Sequence, residues 1–179
     1  MFKQVIYFFL VVILAIIQVS LFSQFTFLQK SLNLIVVFIT LITLFENYRK
    51  AIITSLILGL VLDLYSGFSF GIITSALLLP VVICYILIQK FFARKSVLAL
   101  TIITVINTFV YNITIFLLSS ITYWLGWNNF HVMTDINYFT DIFKQAIFNT
   151  LALVTIYIIV KFLDKKLRLK FLISGNAKL

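Results

Sequence analysis

Charge is scarce in this chain. Of its 179 residues only 11% are Asp, Glu, Lys or Arg, while 63% are hydrophobic. A soluble domain is nearer one quarter charged and half apolar, so too few polar side chains remain to coat a water-facing surface. Proline occurs once and glycine five times, which argues against a linker-rich or multi-domain chain and for one domain across 1–179. The one cysteine, Cys84, lies inside an apolar run. It excludes an intramolecular disulfide and, with His131 as the only histidine, leaves no ligand set for a protein-built metal site. No CxxC, HExxH or phosphate-binding loop is present, and no cofactor is implied.

Basic residues dominate the little charge there is, giving a net +9. No basic stripe interleaved with aromatics appears, so nucleic-acid binding is not expected. The Lys and Arg instead fall in clusters between long apolar runs. A spanning helix needs ~20 apolar residues. Six candidates fit an all-α transmembrane bundle: about 5–22, 31–45, 51–66, 71–92, 97–120 and 142–163. The second and third are short and should tilt little or thin the bilayer. The first is longer than a signal-peptide core and no A-x-A site follows it, so it reads as a retained anchor.

The loops set the orientation. With the N-terminus inside, the inner segments hold Lys3, Arg49, Lys50, Lys90, Arg94, Lys95 and the cluster Lys161, Lys165, Lys166, Arg168, Lys170 and Lys178. The outer ones hold Lys30 and Lys144. Twelve against two, alternating at each loop, satisfies the positive-inside rule with both termini cytoplasmic. The C-terminal basic stretch also attracts anionic lipid at ~1 kcal/mol per basic residue near the surface.

Polar residues within the apolar runs are the informative ones, because each costs free energy in hydrocarbon. The segment Gly59 to Gly71 stands out. Helical rise from Lys50 puts Asp63 ~20 Å into the membrane, where an aspartate needs compensation. Three partners are open: backbone N–H groups of a tight turn at Ser66, Gly67 and Ser69 that begins the fourth helix, Asn112 of the fifth helix, and Lys144 near the start of the sixth. The turn reading makes Asp63 structural; the other makes it a proton, ion or ligand site. A lone carboxylate without a second acid, base or metal ligand does not point to an enzyme.

The fifth helix carries Thr104, Asn107, Thr108, Tyr111 and Asn112 on one face. They read either as interhelical hydrogen bonds, worth ~0.6 kcal/mol each, or as the wall of a polar cavity. Pro80 should kink the fourth helix. Glu46 and Asn47 belong to a short solvated inner loop. The longest outer loop contains Tyr123, Trp124, Trp127, Phe130, Asp135, Tyr138 and Asp141. Its aromatics suit an interfacial belt, or a docking surface for a partner helix formed by Trp124, Trp127 and Phe130.

The stretch from Asn33 through Arg94 resembles MreD, the rod shape-determining membrane protein family of bacteria. The likeness rests on a short apolar hairpin turning at Arg49-Lys50 and on G-x-x-x-D-x-x-S-G-x-x-x-G, here Gly59, Asp63, Ser66, Gly67 and Gly71. An apolar helix ending in basic residues follows. The prolines that often open the family's second helix and precede its last turn glycine are replaced here by Ser31 or Leu32 and by Ser69 or Phe70. The resemblance implies a multi-pass protein of the cytoplasmic membrane and a non-catalytic scaffold role in lateral peptidoglycan synthesis. Its partners would be MreC, the actin-like MreB, RodA and its transpeptidase, together with membrane lipids. The residues leave a homodimer open. That family is similar in fold to the S components of energy-coupling-factor vitamin transporters. The rival function is therefore a vitamin-binding subunit with an outward pocket lined by the fifth helix.

Overall fold

Apolar runs have one inexpensive way to satisfy their backbone within a single segment in hydrocarbon, the α-helix, and the chain is all-α. The computed structural model describes residues 12–13, 15–20, 31–45, 48–91, 97–127 and 136–176, with the side chains of 45, 91, 136–137, 160 and 163–176 excepted. Six helices follow one another: α1 (15–20 as described), α2 (Leu34–Phe45), α3 (Tyr48–Tyr65), α4 (Ile72–Phe91), α5 (Val97–Trp124) and α6 (Ile136–Asn176).

Among the described residues three segments are long and apolar enough to cross a membrane: Ile72–Lys90, Val97–Trp124 and Tyr138–Ile159. Their unburied faces carry large apolar side chains such as Ile86, Ile113, Leu117, Ile147 and Leu151, a surface that lipid covers at no cost. The arrangement is that of a multi-pass membrane protein. The 12 residues of α2 span only ~18 Å. α3 has 18 residues but carries Arg49, Lys50 and Asp63.

Consecutive helices α3 to α6 pack pairwise in chain order, and α2 touches all four of them. The short helix is the hub. One apolar cluster joins it to α3 and α4 through Ile35, Ile39, Leu58, Leu77 and Val81. A second joins it to α4, α5 and α6 through Val37, Leu44, Cys84, Leu100 and Leu153.

Several helix ends depart from the hydropathy reading. α2 begins at Leu34, not Ser31, because Leu32 and Asn33 are non-helical and the Asn33 Oδ1 accepts from the Val36 N–H at 3.2 Å as an N-cap. α3 begins at Tyr48, so Arg49 and Lys50 occupy its first turn and not a loop. α5 runs on to Trp124 rather than ending at Ser120. It stops at Gly126, whose φ of +71° closes a Schellman motif: Trp127 N–H donates to the Thr122 carbonyl (2.9 Å) and Gly126 N–H to that of Tyr123 (3.0 Å). α6 starts at Ile136, six residues before Ile142, and its backbone continues through the basic stretch to Asn176. Charge ends an apolar run, but Lys, Arg and Asp do not break a helix. Pro80 lies inside α4. Glu46, Asn47, Lys3, Lys30, Arg94, Lys95 and Lys178 lie outside the described residues.

Candidate functional site

At the end of α3 the chain turns through Ser66–Gly71 and re-enters as α4. The first turn of any helix leaves N–H groups without intrahelical partners. Here Asp63, in the last turn of the preceding helix, reaches across to take them. Its Oδ2 accepts from Gly71 N–H (3.0 Å), Thr74 N–H (3.1 Å) and the Thr74 hydroxyl (2.6 Å), and its Oδ1 accepts from Ile73 N–H (2.9 Å). The remaining orphan, Ile72 N–H, donates to the Ser69 carbonyl at 3.3 Å, and Ser75 N–H makes the first intrahelical bond to Gly71. Every backbone donor at the head of α4 is thus matched. The carboxylate also sits at the positive end of the α4 dipole. Asp63 is 4% exposed.

The rest of the motif serves this cap. Gly59 lies one turn below Asp63 and lets α3 approach α4: a Cβ there would stand 2.5 Å from the Thr74 Cα. Gly71 adopts φ +95°, a left-handed conformation that only glycine takes without strain. The Ser66 hydroxyl donates to the Asp63 carbonyl at 3.1 Å, closing the end of α3. Gly67 lies in the turn without a left-handed φ. The donors to Asp63 come from Gly71, Ile73 and Thr74 rather than from Ser66, Gly67 or Ser69. The other two partners considered for Asp63 lie elsewhere. Asn112 donates to Gln145 (2.6 Å) and to the Thr108 carbonyl (2.8 Å). Lys144 meets Asp141 at 3.5 Å on an exposed face.

The polar face of α5 is engaged by neighbouring helices. Asn107, fully buried, donates to Thr40 of α2 at 3.0 Å. Thr108 accepts from Asn149 of α6 at 3.0 Å, and Tyr138 donates to the Asn112 carbonyl at 3.2 Å. Tyr111 is buried against the α2–α3–α4 cluster. These bonds are the interhelical alternative for that face.

A second capped helix start lies at Leu32–Asn33. Asn149 is about midway along Tyr138–Ile159, some ~16 Å from either end. Its Oδ1 accepts from the Asn33 N–H at 2.8 Å, which brings the non-helical pair Leu32–Asn33 to mid-depth of that span. Gln18 of α1 donates to the Leu32 carbonyl (3.3 Å) and accepts from the Leu34 N–H (3.1 Å). Non-helical backbone at that depth is tolerated only where protein groups satisfy it, and three side-chain amides do so. Gln18, Asn33, Thr74, Gln145 and Asn149 escaped the sequence reading as site residues. A signal existed for four of them: an uncharged amide inside or beside an apolar run.

At the same end of the bundle as the α3–α4 turn, Trp124 is 88% and Trp127 74% exposed. The Ser69 hydroxyl donates to the Trp127 carbonyl at 3.4 Å, tying the α3–α4 turn to the end of α5. Tyr123 and Trp124 belong to the last turn of α5 and not to a loop. Phe130, His131 and Asp135 lie outside the described residues. No group of His, Cys, Asp and Glu among the described residues is arranged to hold a metal ion. Compared with protein-family models, with curated proteins and with solved structures, the chain matches none.

Proposed function

We propose that the chain is a non-catalytic scaffold of the bacterial cell-elongation machinery, similar to MreD, crossing the cytoplasmic membrane six times with both termini inside. The observation that carries this reading is the use made of Asp63. The one carboxylate in the motif spends its lone pairs on four donors at the head of α4, as a structural cap does and a proton carrier does not. The side-chain NH2 groups of Asn107 and Asn112 likewise donate to α2 and α6, which supports a packed interior over a vitamin pocket. In this reading the cap holds α3, α4 and the outer aromatics Trp124 and Trp127 in one arrangement, and that rim and the adjacent apolar helix faces receive the single membrane helix of MreC. The basic inner ends face MreB, and RodA and its transpeptidase join the same assembly.

The test is depletion of the protein in its own cells, together with affinity capture from detergent-solubilised membranes. Rounded cells and co-purified MreC are expected. Rods of normal width after complete depletion would remove the proposal, and a vitamin retained in native mass spectrometry would favour the transporter subunit.

A further inference from the structure

The inner ends of α2, α3 and α4 meet around the Tyr48 and Tyr85 rings without filling the space beside them. Between them lies a cavity of about 630 Å³, with Leu44, Tyr48, Arg49, Tyr85, Ile88 and Gln89 in its wall. The Tyr48 and Tyr85 rings stack with centroids 4.3 Å apart and 27° between planes. The Gln89 side-chain amide donates to the Tyr85 hydroxyl at 2.6 Å, which fixes that hydroxyl in place and leaves its own proton free to donate. Arg49 is the cation in this wall, and among the described residues no ion pair engages it. The first turn of α3 starts at Tyr48, so its backbone N–H groups and positive dipole end lie at the same place. Leu44 and Ile88 supply an apolar side.

A positively charged residue needed only for orientation requires water and the correct side of the bilayer. It requires no cavity, no stacked wall and no oriented hydroxyl. Guanidinium is the group whose planar fork fits two phosphate oxygens at once. The cavity lies at the end of Ile72–Lys90, a segment long enough to cross the membrane, so its mouth lies at headgroup level.

We infer that this cavity binds the phosphate group of an amphiphile, with Arg49 on the phosphate oxygens, Tyr85 and Gln89 hydrogen-bonding beside it, and Leu44 and Ile88 against the first methylenes. The same chemistry would accept a soluble phosphate. The inference rests on membrane crossing alone and not on the cell-elongation reading, so either can fail without the other.

The full chain in detergent is titrated with phosphatidylglycerol and, separately, with inorganic phosphate, and binding is read by native mass spectrometry and by thermal shift. Saturable retention of phosphatidylglycerol is expected, weakened about tenfold by Arg49→Gln and unchanged by Lys144→Gln at the other end of the bundle. Competition by inorganic phosphate would assign recognition to phosphate itself; failure to compete would assign it to the lipid. If Arg49→Gln does not fold, Gln89→Leu, expected to weaken binding by about threefold, takes its place. Equal binding by wild type and the folded variant, or no saturable binding of either probe, overturns the inference.

Discussion

Two helix starts in this protein face the same difficulty and meet it differently. At the head of α4, a carboxylate from the preceding helix takes four donors, all within eleven residues of it along the chain. At the head of α2, neutral amides from α1 and α6 share the work, and the bond from Asn33 to Asn149 spans 116 residues. The first site lies at the turn between α3 and α4. The second lies at mid-depth, where an unpaired charge would cost most. One cap is built from a charged carboxylate and the other from neutral amides. Proximity in sequence selects the independence of each. The α4 cap is complete within one hairpin, whereas the α2 cap exists only when three helices have assembled.

That contrast can be broken in three places. Asp63→Ala leaves three backbone N–H groups and the Thr74 hydroxyl without their acceptor and should destabilise the bundle by about 4 kcal/mol. Asp63→Asn, which keeps one carbonyl oxygen but turns an NH2 toward the donors, should lose about half as much. Unfolding in mixed micelles measures both, and an Asp63→Ala protein as stable as wild type would mean the cap holds nothing together. Gly59→Ala comes next, at about 2 kcal/mol. Its Cβ would push against backbone rather than a flexible side chain, forcing α3 and α4 apart and lengthening the Asp63 bonds to Thr74. Cysteine crosslinking between the two helices would report the separation. The smallest effect belongs to Asn149→Leu, about 1 kcal/mol, because membrane amides find substitutes in the loosened state. Its signature is local: faster hydrogen exchange at Asn33 and Leu34, with the amides of Gly71 to Thr74 unchanged. Exchange rising at both sites together would show that the two caps are not independent.

How much was legible follows the same division. The Asp63 cap could be read because its parts are eight to eleven residues apart and glycine marks the turn. The reading went too wide in admitting Asn112 and Lys144. Counting residues gives depth along a helix but not the direction a side chain faces, and both residues point to partners on α6. The helix ends were missed for another reason. Hydropathy reports where a segment stops being apolar, while a helix stops only where something breaks or caps it. Hence α5 ran on to the Gly126 cap, a signal present in the sequence, and α6 passed through its charged stretch. The amides Gln18, Gln145 and Asn149 were visible as polar residues in greasy runs, but nothing in their spacing names a partner on another helix.

Composition and the order of residues alone determined that this protein is helical, that its surface is made for lipid, and that Asp63 needs compensation beside a glycine-marked turn. Each of these depends on local chemistry or on totals, and neither needs the fold. Packing decided that the 12-residue α2 touches all four later helices, that its head is held by amides of two others, and that the ends of α2, α3 and α4 around Tyr48 leave a cavity with Arg49 in its wall. Those outcomes depend on the rotation of each helix about its axis, which is set by how side chains of several helices interlock and not by any one segment.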